Sequence, residues 1–245
     1  MNSILNVCYS PEHKQYLDIY LPECDVFPVF VYFHGGGLEK GDKADTQVFF
    51  DYMTKHGIAV VSANYRMYPQ AKYPDFLNDA AEAVAWVFNN INDYGKATDI
   101  FVGGSSAGGY ISQMLCFDSS WLEKYKLTPT DVSGFVHDAG QPTCHFNILR
   151  ERGIDTRRVI IDESAPLYHI EANKNYPTML IIVSDNDMIN RYEQTVLLVS
   201  TLKHFGYTEN VRFQIMSGKH CAYLKAVDEN GDSVFGQIVC KYMLK

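Results

Sequence analysis

No apolar run in the 245-residue sequence approaches the roughly 20 residues that a helix needs to cross a bilayer. No basic patch runs along the chain either. The formal net charge is -8, which argues against nucleic acid and anionic membrane surfaces as partners. The start, Met1 to Ser10, has neither a basic n-region nor an apolar h-region of useful length. No signal peptide is therefore expected, and the expected location is cytoplasmic. The six cysteines (Cys8, Cys24, Cys116, Cys144, Cys221 and Cys240) are scattered without a C-x-x-C, and we read them as reduced thiols suited to that compartment. No internal repeat, low-complexity tract or Pro/Ser-rich linker divides the chain. The composition that is present is globular. Hydrophobic residues make up 47% and aromatics 13%, enough for a sizeable core in one α/β domain spanning residues 1–245.

Taken in order, apolar patterning predicts alternating strands and helices. Tyr16 to Leu21 alternates polar and apolar like a half-buried edge strand, ended by Pro22. Val29 to Phe33 is a continuous β-branched and aromatic run, the mark of a strand buried on both faces. A helix is expected over 42–56, a buried strand over 58–63, and a second helix from Pro74 to a stop at Gly95. Further strands are expected over 99–103, 133–137, 178–184 and 211–216, and further helices over 110–117, 146–152, 191–205 and 233–244. Such alternation implies right-handed crossovers and a mostly parallel sheet with helices on both faces. In such a sheet, chemistry gathers at the carboxyl ends of the strands. The less regular stretch 140–175 is expected to fold over that end as a small lid.

One stretch fits that place closely. Gly104-Ser105-Ser106-Ala107-Gly108 follows the apolar run Ile100-Phe101-Val102 and precedes a helical pattern. It matches G-x-S-x-G with Ser106 at the centre, a tight strand-to-helix turn that presents a strained serine at a helix N-terminus. A serine nucleophile needs a base, an orienting carboxylate and fixed donors for the oxyanion. His220, in the loop after the last expected strand, is chosen as base because it completes the chain order Ser–Asp–His. His137, His145 and His169 would break that order, and His34 begins a glycine run whose shape it serves. For the acid, Asp185 and Asp187 compete just after the strand 179–183. We choose Asp187, a few positions beyond the strand end, and leave to Asp185 the alternative role of fixing the turn. His34-Gly35-Gly36-Gly37 follows a buried strand. Its bare N–H groups at Gly35 and Gly36, with that of Ala107, are the expected oxyanion donors. Leu38, Tyr65 and Gln141 are candidate pocket residues. Arg66 and Asp79 read either as a buried pair near the site or as separate solvated charges.

These stretches resemble the α/β-hydrolase family. Within it, they are similar to carboxylesterases with an HGGG oxyanion motif: hormone-sensitive-lipase-like esterases and the bacterial carbohydrate and feruloyl esterases. The resemblance rests on 17–22, 34–37, Asn64-Tyr65-Arg66, 76–81 with Asp79, 104–109, Asp187 and His220. It implies the α/β-hydrolase fold and ester hydrolysis through an acyl-enzyme, with no metal and no cofactor. The expected partner is a small-molecule or carbohydrate-linked ester substrate, bound by a monomer or homodimer. Leu38 stands where a Trp often follows the glycines in carbohydrate-esterase relatives, and a reduced cap is expected. The alternatives are an arylformamidase-type amide hydrolase on the same triad and a hydrolase-fold binding protein without turnover.

Overall fold

The structure is a computed structural model and describes residues 2–244. Its centre is an eight-stranded sheet: β1 (Asn2–Ser10), β2 (Gln15–Leu21), β3 (Val26–Phe33), β4 (Ala59–Ala63), β5 (Lys96–Ser105), β6 (Gly134–Asp138), β7 (Met179–Asn186) and β8 (Val211–Lys219). The strands lie in the order β1-β2-β4-β3-β5-β6-β7-β8. The pairs β1·β2 and β2·β4 are antiparallel, and every later pair is parallel. The helices are α1 (Gln47–Lys55), α2 (Asp75–Asn90), α3 (Ala107–Phe117), α4 (Ser120–Glu123), α5 (Phe146–Glu151), α6 (Arg191–His204) and α7 (Val234–Met243).

Period-two alternation in the central strands sends side chains into two cores. Val29, Val31 and Phe33 of β3 join Val61, Val102 and Ile181 under α2, α3 and α6. Phe30 and Tyr32 face the other way, against Phe49, Phe50 and Met53 of α1 and Phe235 and Val239 of α7. Each such aromatic or branched side chain contributes about 1.5–3 kcal/mol by leaving water. The α6 face repeats at helical spacing through Arg191, Thr195, Leu198, Val199 and Leu202, all buried.

Three expectations need correction. The strand over 15–21 is not an edge. β1 covers its outer side, so Leu17 to Leu21 are buried. β1 itself was not expected. Its pairing is interrupted between Ile4 and Val7 and again between Cys8 and Ser10, and most of its residues face solvent, so no alternation survives in its sequence. The helix expected from 42 begins only at Gln47. Asp42 and Asp45 spend their carboxylates on a turn, accepting from the Ala44 and Asp42 N–H groups, while Lys43 N–H donates to Asn64 Oδ1.

Of the two readings of Arg66 and Asp79, the fold takes the paired one. Asp79 is fully buried on α2 and accepts from the Arg66 backbone N–H at 2.8 Å and from its guanidinium at 2.7–3.0 Å. Removing the cation leaves a buried carboxylate without its partner. Arg66→Ala is expected to lose about 3 kcal/mol of stability in urea unfolding. A loss under about 1 kcal/mol would mean that the pair is the dispensable surface kind.

Candidate active site

Register fixes where the site is. Phe33 pairs with Gly104, Ser105 with Asp138, Asp138 with Ile182, and Asn186 with Lys219. The carboxyl ends of β3, β5, β6, β7 and β8 therefore lie side by side, and their following loops share one rim.

At the β5 end, Ser106 has φ 56° and ψ -112°, a positive-φ conformation that costs energy for any residue with a side chain. The turn is held from below. The Ser106 N–H donates to the Asp138 carbonyl at 2.8 Å, and the Tyr110 N–H closes the first turn of α3 onto the Ser106 carbonyl at 3.0 Å. Glycine at 108 is a packing requirement: a Cβ there would lie 1.9 Å from the Phe33 carbonyl oxygen. The first turn of α3 is thereby packed directly against the end of β3.

His220 follows β8, and Asp187 follows β7. The Ser106 hydroxyl lies 2.9 Å from His220 Nε2, and His220 Nδ1 lies 2.5 Å from Asp187 Oδ1. With Nδ1–H turned to the carboxylate, Nε2 is the free acceptor for the serine proton. The Asp187 side chain is fully buried, whereas that of His220 retains 22% exposure. Burial alone would push the Asp187 carboxyl up. The hydrogen bond and charge of His220, with the N–H groups of Met188 and Ser184, outweigh it and hold the carboxyl below its ordinary value. Asp185 points elsewhere, accepting from Ser217 Oγ at 2.9 Å and the Gly218 N–H at 2.8 Å. It fixes the end of β8 and so the start of the loop that carries His220.

On the other side of Ser106 stands the glycine loop. A Cβ on Gly35 would meet Ser106 Cβ at 3.2 Å, so the backbone passes against Ser106. Gly36 has φ +114°, and a Cβ there would lie 1.8 Å from the Lys40 carbonyl, so only glycine fits. Among the described residues, the N–H groups of Gly35 and Gly36 have no hydrogen-bond acceptor, and that of Ala107, the first residue of α3, has none within its helix. The arrangement can take a proton from Ser106 and supplies uncommitted donors beside it. The loop's shape comes from His34 and Tyr65. The Tyr65 ring stacks on His34 with centroids 4.5 Å apart, and its hydroxyl donates to the His34 carbonyl at 2.9 Å.

Leu38 corrects the pocket expectation, being wholly buried within the core. Tyr65 supports the glycine loop and borders a cleft of about 330 Å³ with Asn64, Arg66 and Tyr68, apart from the one that Gln141 lines. Gln141 does line a cleft of about 420 Å³, together with Phe146, Met188, Ile189, Arg158 and Gln194. Its carbonyl oxygen accepts from Arg191 at 3.1 Å, and its amide nitrogen donates to the Cys144 carbonyl at 2.9 Å. The cleft lies against both halves of the site. Phe146 packs against Gly37, and Met188 donates its N–H to Asp187. Phe146 opens the helix expected over 146–152, in the stretch expected to fold over the site, whereas Met188, in the turn after Asp187, carried no sequence signal. In the 140–175 stretch, Asn147 Nδ2 donates to the Gly37 carbonyl and Tyr110 donates to the Ser164 carbonyl. The stretch is thus bonded to the glycine loop and to α3.

Comparison with known proteins agrees with this architecture. The BD-FAE family model matches residues 17–127, which include the glycine loop and Ser106. Over its full length the chain superposes on an esterase, Esterase B of Lactobacillus rhamnosis, with a TM-score of 0.79 and 17% identity, covering 99% of this chain and 84% of that one. The chain has the α/β-hydrolase fold. A second esterase structure, Est2 of Thermogutta terrifontis, superposes with a TM-score of 0.76 at 19% identity, covering 98% of this chain and 92% of that one. At such identities the likeness is one of fold. In sequence, the chain is 30% identical over 150 residues to probable carboxylesterase 1 of Arabidopsis thaliana, a match covering 52% of this chain and 46% of the relative. The aligned stretch is thus about half the length of that curated relative. Among the described residues, no helix is long and apolar enough to cross a membrane.

Proposed function

We propose that the protein is a serine carboxylesterase that hydrolyses small acyl esters through an acyl-enzyme. The observation that carries this reading is the continuous relay from Ser106 Oγ to His220 Nε2 at 2.9 Å and from His220 Nδ1 to Asp187 at 2.5 Å. Ser106 attacks the ester carbonyl as Nε2 takes its proton. The N–H groups of Gly35, Gly36 and Ala107 receive the oxyanion, a contribution worth about 2.7–4 kcal/mol per donor in comparable sites. The imidazolium then protonates the leaving alcohol. In the second half, His220 removes a proton from water, which attacks the acyl-enzyme and releases acid and free serine. The cleft lined by Phe146, Met188 and Ile189, next to Gly37 and Asp187, suits a short acyl or an aromatic group. Est2 of Thermogutta terrifontis, solved with butyrate bound, is consistent with a short acyl group.

The reading is tested by parallel turnover assays on p-nitrophenyl esters of rising chain length, acetyl-xylan, feruloyl esters and N-formylkynurenine. Turnover of the short esters, falling as the acyl chain lengthens, is the expected outcome. Turnover confined to the formamide would move the activity to amide hydrolysis on the same residues. No turnover of any of them would sink the esterase reading.

A further inference from the structure

Asp138 ends β6 directly beneath the site, and both of its polar ends reach the relay. Its backbone carbonyl accepts the Ser106 N–H at 2.8 Å. Its carboxyl Oδ1 accepts the hydroxyl of Tyr223, which lies in the short turn Ala222–Leu224 just after His220. One residue thus holds the nucleophile by its backbone and the base's loop by its side chain. The other oxygen, Oδ2, is buried with no hydrogen-bond partner within the protein, among the described residues. Nor do the hydroxyls of Ser105 and Tyr32, which are buried on the same side of the sheet, have partners there. A carboxyl kept in such a place needs a reason, because a half-satisfied buried polar group costs more than an apolar one.

We propose that Asp138 is a positioning residue for the hydrolytic reaction: it sets the spacing between Ser106 and His220 through Tyr223, and its ionisation tunes how readily His220 accepts the serine proton. The inference rests on Ser106 and His220 acting as nucleophile and base. The groups that face the carboxyl are Tyr32 from β3, Ser105 from β5, Tyr223, Cys221 and His220 from the segment after β8, and Asp187 from the loop after β7. Burial pushes the Asp138 carboxyl up to about 6, against the neighbouring Ser105 hydroxyl, the bond from Tyr223 and the charge of His220. It therefore changes charge near pH 6. Once ionised, it favours the imidazolium form of His220.

Two substitutions separate the roles. Asp138→Asn retains an oxygen that can accept the Tyr223 hydroxyl but cannot ionise. Tyr223→Phe keeps the carboxyl and removes the tether. Tyr223→Phe is expected to lower kcat roughly ten-fold with KM within two-fold, because the base's loop loses its fixed distance to the serine. Asp138→Asn is expected to keep kcat at its optimum within about three-fold and to move the acid limb of kcat/KM to lower pH by about 0.3–1 unit. Thermal melting of each variant reads folding separately, and a purely structural role would move the melt without moving the pH limb. Wild-type kcat in Tyr223→Phe, or an unmoved limb in Asp138→Asn, overturns the inference. A wild-type protein that neither turns over esters nor reacts with a fluorophosphonate at Ser106 would instead remove the hydrolase reading, and the inference with it.

Discussion

Ser106→Ala is expected to lower kcat by about 10⁶-fold on any ester the wild type accepts, with the fold intact. The magnitude follows from the chemistry. Without the hydroxyl there is no covalent acyl-enzyme, and what remains is the background given by oxyanion donors and binding. The fold should survive because the residues that hold the turn are its neighbours. The Ser106 N–H bond to Asp138 and the Tyr110 bond to the Ser106 carbonyl are made by backbone atoms. The Cβ remains, so the close approach to Gly35 is unchanged. Circular dichroism should therefore match the wild type, and residual activity above about 1% would place the nucleophile elsewhere.

The second large effect concerns the acid. Asp187→Asn is expected to reduce kcat by about 10⁴-fold, because the amide no longer holds Nδ1–H toward the carboxylate and the wrong imidazole tautomer results. Asp185→Asn should cost less than about ten-fold, since Asp185 bonds Ser217 and Gly218 and does not touch the imidazole. The reverse ranking would hand the role to Asp185. The pH dependence follows in sign. The folded Asp187 carboxyl lies below its ordinary value of 3.8. Its favourable interaction is complete above that ordinary value and is lost only as pH falls through the lower, folded one. An acid limb in the activity profile above pH 4 therefore belongs to another group.

The sequence revealed the site more fully than the edges of the sheet. Ser106, Asp187 and His220 were legible because each sits just past an apolar strand run, in the chain order that one fold uses. The spacing of G-x-S-x-G reflects a steric need visible here at Gly108. β1 was not legible, because its interrupted pairing erases the period of two. Leu38 was a pocket candidate next to the glycines. Nearness along the chain does not tell which side of the loop a side chain takes, and Leu38 went inward. Asp138 and Tyr223 gave no signal at all. A polar residue at a strand end and a tyrosine in a turn are ordinary in sequence, and only the register of β5 with β6 brings them under Ser106.

The most direct test is to expose the wild-type protein at neutral pH to a fluorophosphonate and locate the adduct by tandem mass spectrometry. The account expects one phosphonyl group per chain, on Ser106, formed at a rate that collapses in His220→Ala. An adduct on any other side chain, or a rate indifferent to residue 220, would contradict it.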